Sequence, residues 1–243
     1  MKSSDLRLYR VASLTLVNAM LFQELISQRA RVKTLRQTFE SLDIVGEFNR
    51  QWKYIEKEVD FVPIFKVARE ILLALPSSPE TDRALRRLAE SAIKISRNRA
   101  ALRHDLMGRI FHRLLADAKF FGAFYTKIPA ATLLLKLAVS KNDWAVKWAD
   151  PESIGQLRIA DLACGTGTLR KAAMAAIVDR HIEDAISSGV TAHPDEVHRN
   201  LVENSLWGFD VLSSAVHLAA AAIAMHDPSV TVRKMQLFAL PLG

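Results

Sequence analysis

The chain has 243 residues, half of them hydrophobic and 24% charged, with a formal net charge of +7 and a single cysteine, Cys164. That is enough apolar content for one large or two small cores; it excludes a disulfide-stapled scaffold, and one lone thiol is compatible with a reducing, cytoplasmic setting. The excess charge is confined to residues 1–120, with 22 Lys and Arg against 14 Asp and Glu, whereas residues 121–243 carry 11 against 12. This asymmetry fits a polyanion-facing first half and a near-neutral second half that holds a small molecule, although basic helices are also often simply solvated.

Residues 4 to about 37 read as one long helix with Leu14, Val17, Leu21 and Leu25 on its apolar face. Val11 to Ile26 is fairly apolar but is interrupted by Asn18, Gln23 and Glu24 and is too short to span a bilayer, so no membrane association is expected. A second helical stretch covers about 47–75, with Phe48, Trp52, Ile55, Val59 and Val62 at threes and fours and a kink or restart at Pro63. The run PSSPETD at 76–82 is a break, and Ser78, Thr81 or Asp82 can cap the next helix.

Helical periodicity returns from Arg83 to Lys119, with Leu85, Leu88, Ala89, Ala92 and Ile93 inward and Arg83, Arg86, Arg87, Lys94, Arg97, Arg99 and Arg103 outward. Such a stripe can neutralise backbone phosphates of DNA, or its arginines can pair with acids elsewhere in the fold. In 120–139, Thr126 is expected to cap a helix whose first turn holds Pro129 and whose buried side is Leu133, Leu134, Leu137 and Ala138. Phe124 and Tyr125 stand just before that helix, which reads either as a ligand-holding helix entrance or as a capped core helix. Residues 140–155 read as a loop with at most a short helix.

RIADLACGTGTLRKAAMAAI, residues 158–177, combines a short apolar strand, a glycine turn and an alanine-rich helix. Gly165 and Gly167 allow left-handed dihedrals and close approach of a ligand to the backbone. The third glycine of a dinucleotide turn is missing, and Asp161 beside the turn repels a pyrophosphate but can accept from an ammonium, as on the methionyl part of S-adenosylmethionine. After a break at 187–196 and a helical stretch from Asp195 to Leu206, Leu206 to Phe209 reads as a strand with Asp210 at its end and an alanine-rich helix beyond. An acid there can hold ribose hydroxyls or cap the helix; its spacing of 49 residues from Asp161 requires an extra helix between the strands. Val230 to Leu240 can supply one more strand. The histidines, of which His193 and His198 are the closest pair, have neither the spacing nor the cysteine partners of a metal site.

Three segments, GAFYTKIPAATLLLKLAV, IADLACGTGTLRKAA and WGFDVLSSAVHLAA, in this order and preceded by HDLMGRIFHRLL at 104–115, resemble the adenine-specific (N6) DNA methyltransferases of restriction-modification systems, of the type I modification-subunit kind. The resemblance covers about residues 104–225. It implies an α/β architecture: an N-terminal all-α, basic helical domain over 1–119 and, over 120–243, the front half of an incomplete Rossmann-like class I S-adenosylmethionine-dependent methyltransferase domain. It places Tyr125 and Thr126 beside the cofactor, Asp161, Ala163, Gly165 and Gly167 at its methionine part, and Asp210 at its ribose. It also implies DNA as partner, and a specificity subunit contacted by the N-terminal helices.

The family's Asn/Asp-Pro-Pro-aromatic tetrapeptide, which holds the flipped adenine, does not occur in this sequence. The expectation is therefore a cofactor-binding portion with no catalytic residue of its own, which does not methylate DNA unaided and needs a second polypeptide, or is an inactive remnant with an unpaired sheet edge. Two other classes stay open: a non-enzymatic DNA-binding or assembly protein whose cradle binds nothing, and a class I methyltransferase acting on RNA or protein.

Overall fold

The computed structural model describes residues 3–27, 31–59, 62–97, 126–139, 144–227 and 229–241. The chain divides into two compact units, Met1–Phe121 and Gly122–Gly243. Among the described residues no helix is long and apolar enough to cross a membrane.

The first unit is a helical bundle: α1 (Ser3–Ile26), α2 (Leu35–Thr38), α3 (Ile44–Tyr54) running into a π-helical turn (Ile55–Val59), α4 (Val62–Leu73) and α5 (Pro79–Ser96). The expected helix over 4–37 is broken, because Thr34 restarts it as α2 with a reciprocal capping box to Gln37. Nor is α1 a one-sided amphipathic helix: from Leu14 onward most of its residues are buried as α4 and α5 pack around it. Polar Gln23 is fully buried there and well used. Its amide nitrogen donates to the Lys33 carbonyl at 2.8 Å and to Thr38 Oγ1 at 3.1 Å, and its oxygen accepts from Trp52 Nε1 at 2.8 Å. The Trp52 ring fills the space between Phe48 (centroids 5.2 Å apart) and Phe65 (5.9 Å). Pro63 falls in the first turn of α4, where a missing amide costs nothing, and Ser78 caps α5.

On α3, Glu47 is buried yet charged, bonded by Arg50 Nη2 at 2.7 Å, Lys33 Nζ at 3.0 Å and Gln51 Nε2 at 2.9 Å. Burial pushes this carboxyl up, but the bonds from Arg50, Lys33 and Gln51 outweigh it and hold it at about 2. A folded value below the unfolded value of about 4.3 means that the stabilisation is complete above that pH and is lost as pH falls towards 2. Glu47→Gln is therefore expected to cost about 1–3 kcal/mol at neutral pH in urea unfolding. The gap between variant and wild type should close on acidification through that window; a gap independent of pH would show that the charge contributes nothing.

The second unit contains α6 (Ile128–Ala138), α7 (Pro151–Gly155), β1 (Ile159–Asp161), α8 (Thr168–Ser187), α9 (Pro194–Asn200) with a π-helical turn (Leu201–Ser205), β2 (Leu206–Asp210), α10 (Ser213–Ala224) and β3 (Leu237–Ala239). The three strands form a parallel sheet in the order β1-β2-β3, with Asp161 opposite Gly208 and Asp210 opposite Ala239. The fold is thus a mixed α/β arrangement: a helical bundle and a small parallel sheet.

Helices α8 and α10 pack on each other and on the same face of the sheet, the face towards which Gly208 points. On the other face, alternate residues Trp207 and Phe209 of β2 and Phe238 of β3 stack at 5.3–6.4 Å. The core gathers Trp148, Ile154, Met174, Ile177, Val197, Leu201 and Leu206. Within it His181 is fully buried, bonded to the Trp148 carbonyl at 2.9 Å and to the His193 amide at 2.8 Å. An amide can only donate, so Nε2 accepts and the proton sits on Nδ1: a neutral histidine joining two loops.

Two expectations about α6 are corrected. Its N-cap is Lys127, with no side-chain capping bond, so Thr126 precedes the cap instead of forming it. Its buried contact is Ala131, whose small side chain lets the helix approach α8 closely, while Leu133, Leu134 and Leu137 are 62%, 56% and 70% exposed.

Candidate cofactor site

The site is the carboxyl edge of β1 and β2, and the chain reaches it through a tight turn. After Asp161, Leu162 and Ala163 face outward, and the Cys164 amide donates to the Phe209 carbonyl at 2.8 Å, stitching the turn to the end of β2. Gly165 (φ 51°) and Gly167 (φ 85°) are both left-handed, and the Gly167 amide closes the turn on the Cys164 carbonyl at 2.8 Å. Gly167 is required twice over. It is the N-cap of α8, and a Cβ there would stand 3.2 Å from Ala219 Cβ on α10. At Gly165 the space is open, and only the backbone conformation selects glycine.

Two carboxylates meet at this turn. Asp210 accepts from the Gly165 amide at 2.8 Å through Oδ2 and from the Leu212 amide at 2.9 Å through Oδ1, so it fastens the glycine turn to the entrance of α10. Each of its oxygens keeps a lone pair for a further donor. Asp161 accepts from the Ala163 amide at 3.3 Å through Oδ1, while its buried Oδ2 has no hydrogen-bond partner. Burial raises the Asp161 carboxyl above its ordinary range; the Ala163 amide and Arg170 pull it down, and the neighbouring Asp210 charge pushes it up again.

Beneath the turn lies Arg170, only 2% exposed. Its Nη2 donates to the Leu206 carbonyl at 2.5 Å, and its Nε and Nη1 have no partner. Burial pulls it down to about 10, which leaves it cationic at neutral pH. Gly208 makes room for it: a Cβ there would lie 3.0 Å from Arg170 Cδ. Sequence reasoning passed over Arg170, although a signal existed. At three and seven residues before Ala173 and Ile177 it shares the buried stripe of α8.

Cys164 is buried, and burial pushes its thiol up to about 12, with Arg170 opposing and the two aspartates adding to the rise. It is a neutral thiol at neutral pH. The native chain is expected to resist alkylation by iodoacetamide at pH 7 and to react fully once denatured; comparable rates in both states would contradict this placement.

Of the residues expected at the cofactor, Asp161, Ala163, Gly165, Gly167 and Asp210 come together here, and Thr126 lies at the entrance of α6. Tyr125, the segment 104–115, Arg99 and Arg103 lie outside the described residues. The remaining basic residues, Arg83, Arg86, Arg87, Lys94 and Arg97, lie on α5 or at its C-cap, with Arg83 bonded to Glu80 at 2.6 Å. Among the described residues no group of three or more His, Cys, Asp and Glu could hold a metal ion.

No family model, curated protein or solved structure matches this chain. The functional reading therefore rests on the geometry of the turn and the chemistry of its side chains.

Chemically, the edge offers acceptors. Two carboxylates flank a left-handed glycine turn, so an anionic pyrophosphate is disfavoured and a ligand with an ammonium or hydroxyl donors is favoured. The open space at Gly165 leaves the backbone approachable from outside.

Proposed function

We propose that the second unit is a Rossmann-like cradle for S-adenosylmethionine and that the chain is the cofactor-binding portion of a DNA adenine-N6 methyltransferase. The observation that carries this reading is the pair of carboxylates, Asp161 and Asp210, that meet at a turn of two left-handed glycines. Carboxylate oxygens at this edge can accept from a ligand ammonium and from hydroxyls. Asp161, Ala163, Gly165 and Gly167 would hold the methionyl part and Asp210 the ribose hydroxyls, with Tyr125 and Thr126 alongside; the cofactor supplies an electrophilic methyl group. The parallel order β1-β2-β3, with acids ending the first two strands, supports the same reading, since ligands in open parallel sheets bind outside the carboxyl ends of strands. The basic face of α5 supports DNA as the polyanionic partner.

Without the base-holding tetrapeptide, the chain is expected to retain S-adenosylmethionine but to transfer no methyl group to DNA unless a second polypeptide supplies that function. The test is equilibrium dialysis with methyl-labelled S-adenosylmethionine. Retention that S-adenosylhomocysteine displaces and NAD does not is the expected result. Displacement by NAD would make this a dinucleotide site instead.

A further inference from the structure

In the first unit a cleft of about 370 Å³ opens between α2 and the exposed face of α5. Arg86, Glu90, Lys94 and Arg97 line one side, at intervals of four, four and three residues, which puts them on one helical face. Arg36 and Phe39 line the other side from α2 and its C-cap, and Ile93 completes the apolar part of the wall. Four cations thus face one carboxylate around a concavity with low-dielectric walls, an arrangement that focuses positive potential.

The cations are not consumed by the fold. Elsewhere in this unit Glu47, Glu56 and Glu80 each engage a basic partner, whereas Arg36, Lys94 and Arg97 make no ion pair among the described residues. Arg86 is held in place without an acid. Its guanidinium carbon stands 5.1 Å from the Phe39 ring centroid, and its Nη2 donates to the Phe39 carbonyl at 3.4 Å. A planar fork fixed in this way is preorganised for an oxyanion.

We propose that this cleft receives a phosphoryl group, held by Arg36 and Arg86 with Lys94 and Arg97, either in a nucleic-acid backbone or in a free polyphosphate ester. A carboxylate would neutralise one of the four cations; a phosphoryl group presents several anionic oxygens to all of them. Glu90, four residues from both Arg86 and Lys94, can pair with either and leaves the rest of the cluster to the ligand. The proposal deepens the polyanion-facing part of the reading above and does not depend on the cofactor cradle, whose failure would show in dialysis and not here.

The test titrates the full chain with inorganic tripolyphosphate and, separately, with a short fluorescent duplex of arbitrary sequence at two salt concentrations, using Arg36→Gln, Arg97→Gln and, as a control on α3 outside the cleft and the basic stripe, Lys53→Gln. All three side chains are exposed, so folding is not at stake. Arg36→Gln and Arg97→Gln are expected to weaken binding by on the order of tenfold each, while Lys53→Gln stays near wild type. Duplex binding that tripolyphosphate competes away, with a salt slope reduced by about one in each cleft variant, identifies the backbone as the source. Saturable tripolyphosphate binding without duplex binding identifies a free ester. The proposal is overturned if neither ligand saturates, or if Lys53→Gln loses as much affinity as Arg36→Gln, since surface charge alone would then account for binding.

Discussion

Asp161→Asn is expected to abolish the thermal shift produced by S-adenosylmethionine while the unliganded variant melts no lower than the wild type. The two halves of this expectation have different physical origins. In the free protein, burial raises the Asp161 carboxyl, so its ionised form opposes folding. For an acid whose folded value lies above its unfolded value, stability falls as pH rises through the window between them. The amide is neutral and keeps an oxygen to accept from the Ala163 amide, as Oδ1 does now. Arg170 loses a favourable charge nearby but keeps its bond to the Leu206 carbonyl. For the ligand, the exchange removes the negative charge that an ammonium pairs with and turns one of the two acceptors into a donor. Losing a charged hydrogen bond of about 1.5–3 kcal/mol weakens binding by on the order of 10–100-fold. A variant that melts well below wild type and still binds would show that Asp161 is a structural anchor.

The largest stability effect is expected at Trp52. Trp52→Ala removes a fully buried ring from between Phe48 and Phe65 and should cost about 3–5 kcal/mol in urea unfolding. It also leaves Gln23 Oε1 buried without its donor, although the Gln23 amide still bridges the Lys33 carbonyl and Thr38. Trp52→Phe separates the contributions: it keeps most of the aromatic packing and should cost about 1–3 kcal/mol, chiefly for the orphaned oxygen. Equal losses in the two variants would assign the stabilisation to the hydrogen bond and not to the ring.

The elements legible in the sequence were those where a residue type has a local reason. CGTG marks a turn because two of its positions need left-handed dihedrals, and both glycines adopt them. PSSPETD marks a break because Ser78 can cap and Pro79 can open a helix. Where the choice is made by a distant partner, the pattern misled. The sequence IPAATLLLKLA is apolar on every side, so periodicity could not tell which face of α6 packs; close approach to α8 selected Ala131 and left three leucines outward. The break after α1 did have a local mark, the Thr34–Gln37 capping box, which the apolar periodicity of 4–37 masked; the bonds from Gln23 to Lys33 and Thr38 that hold the restarted segment lie outside any such window.

The same limit applies at the sites. Asp210 could be placed at the end of a strand, but its hold on the Gly165 amide arises only when 45 residues of chain fold back. Arg36 and Phe39 join the basic face of α5 across a comparable separation, so the cleft they form cannot be read from the arginine-rich stretch alone.

Calorimetric titration of the purified chain with S-adenosylmethionine, alongside Asp161→Ala and Asp210→Ala, tests the cradle most directly. Saturable heat at one cofactor per chain, lost in both variants while their circular dichroism is retained, is the predicted result. A folded wild-type sample that gives no saturable heat, or variants that bind as the wild type does, would contradict the assignment of this turn as a cofactor site.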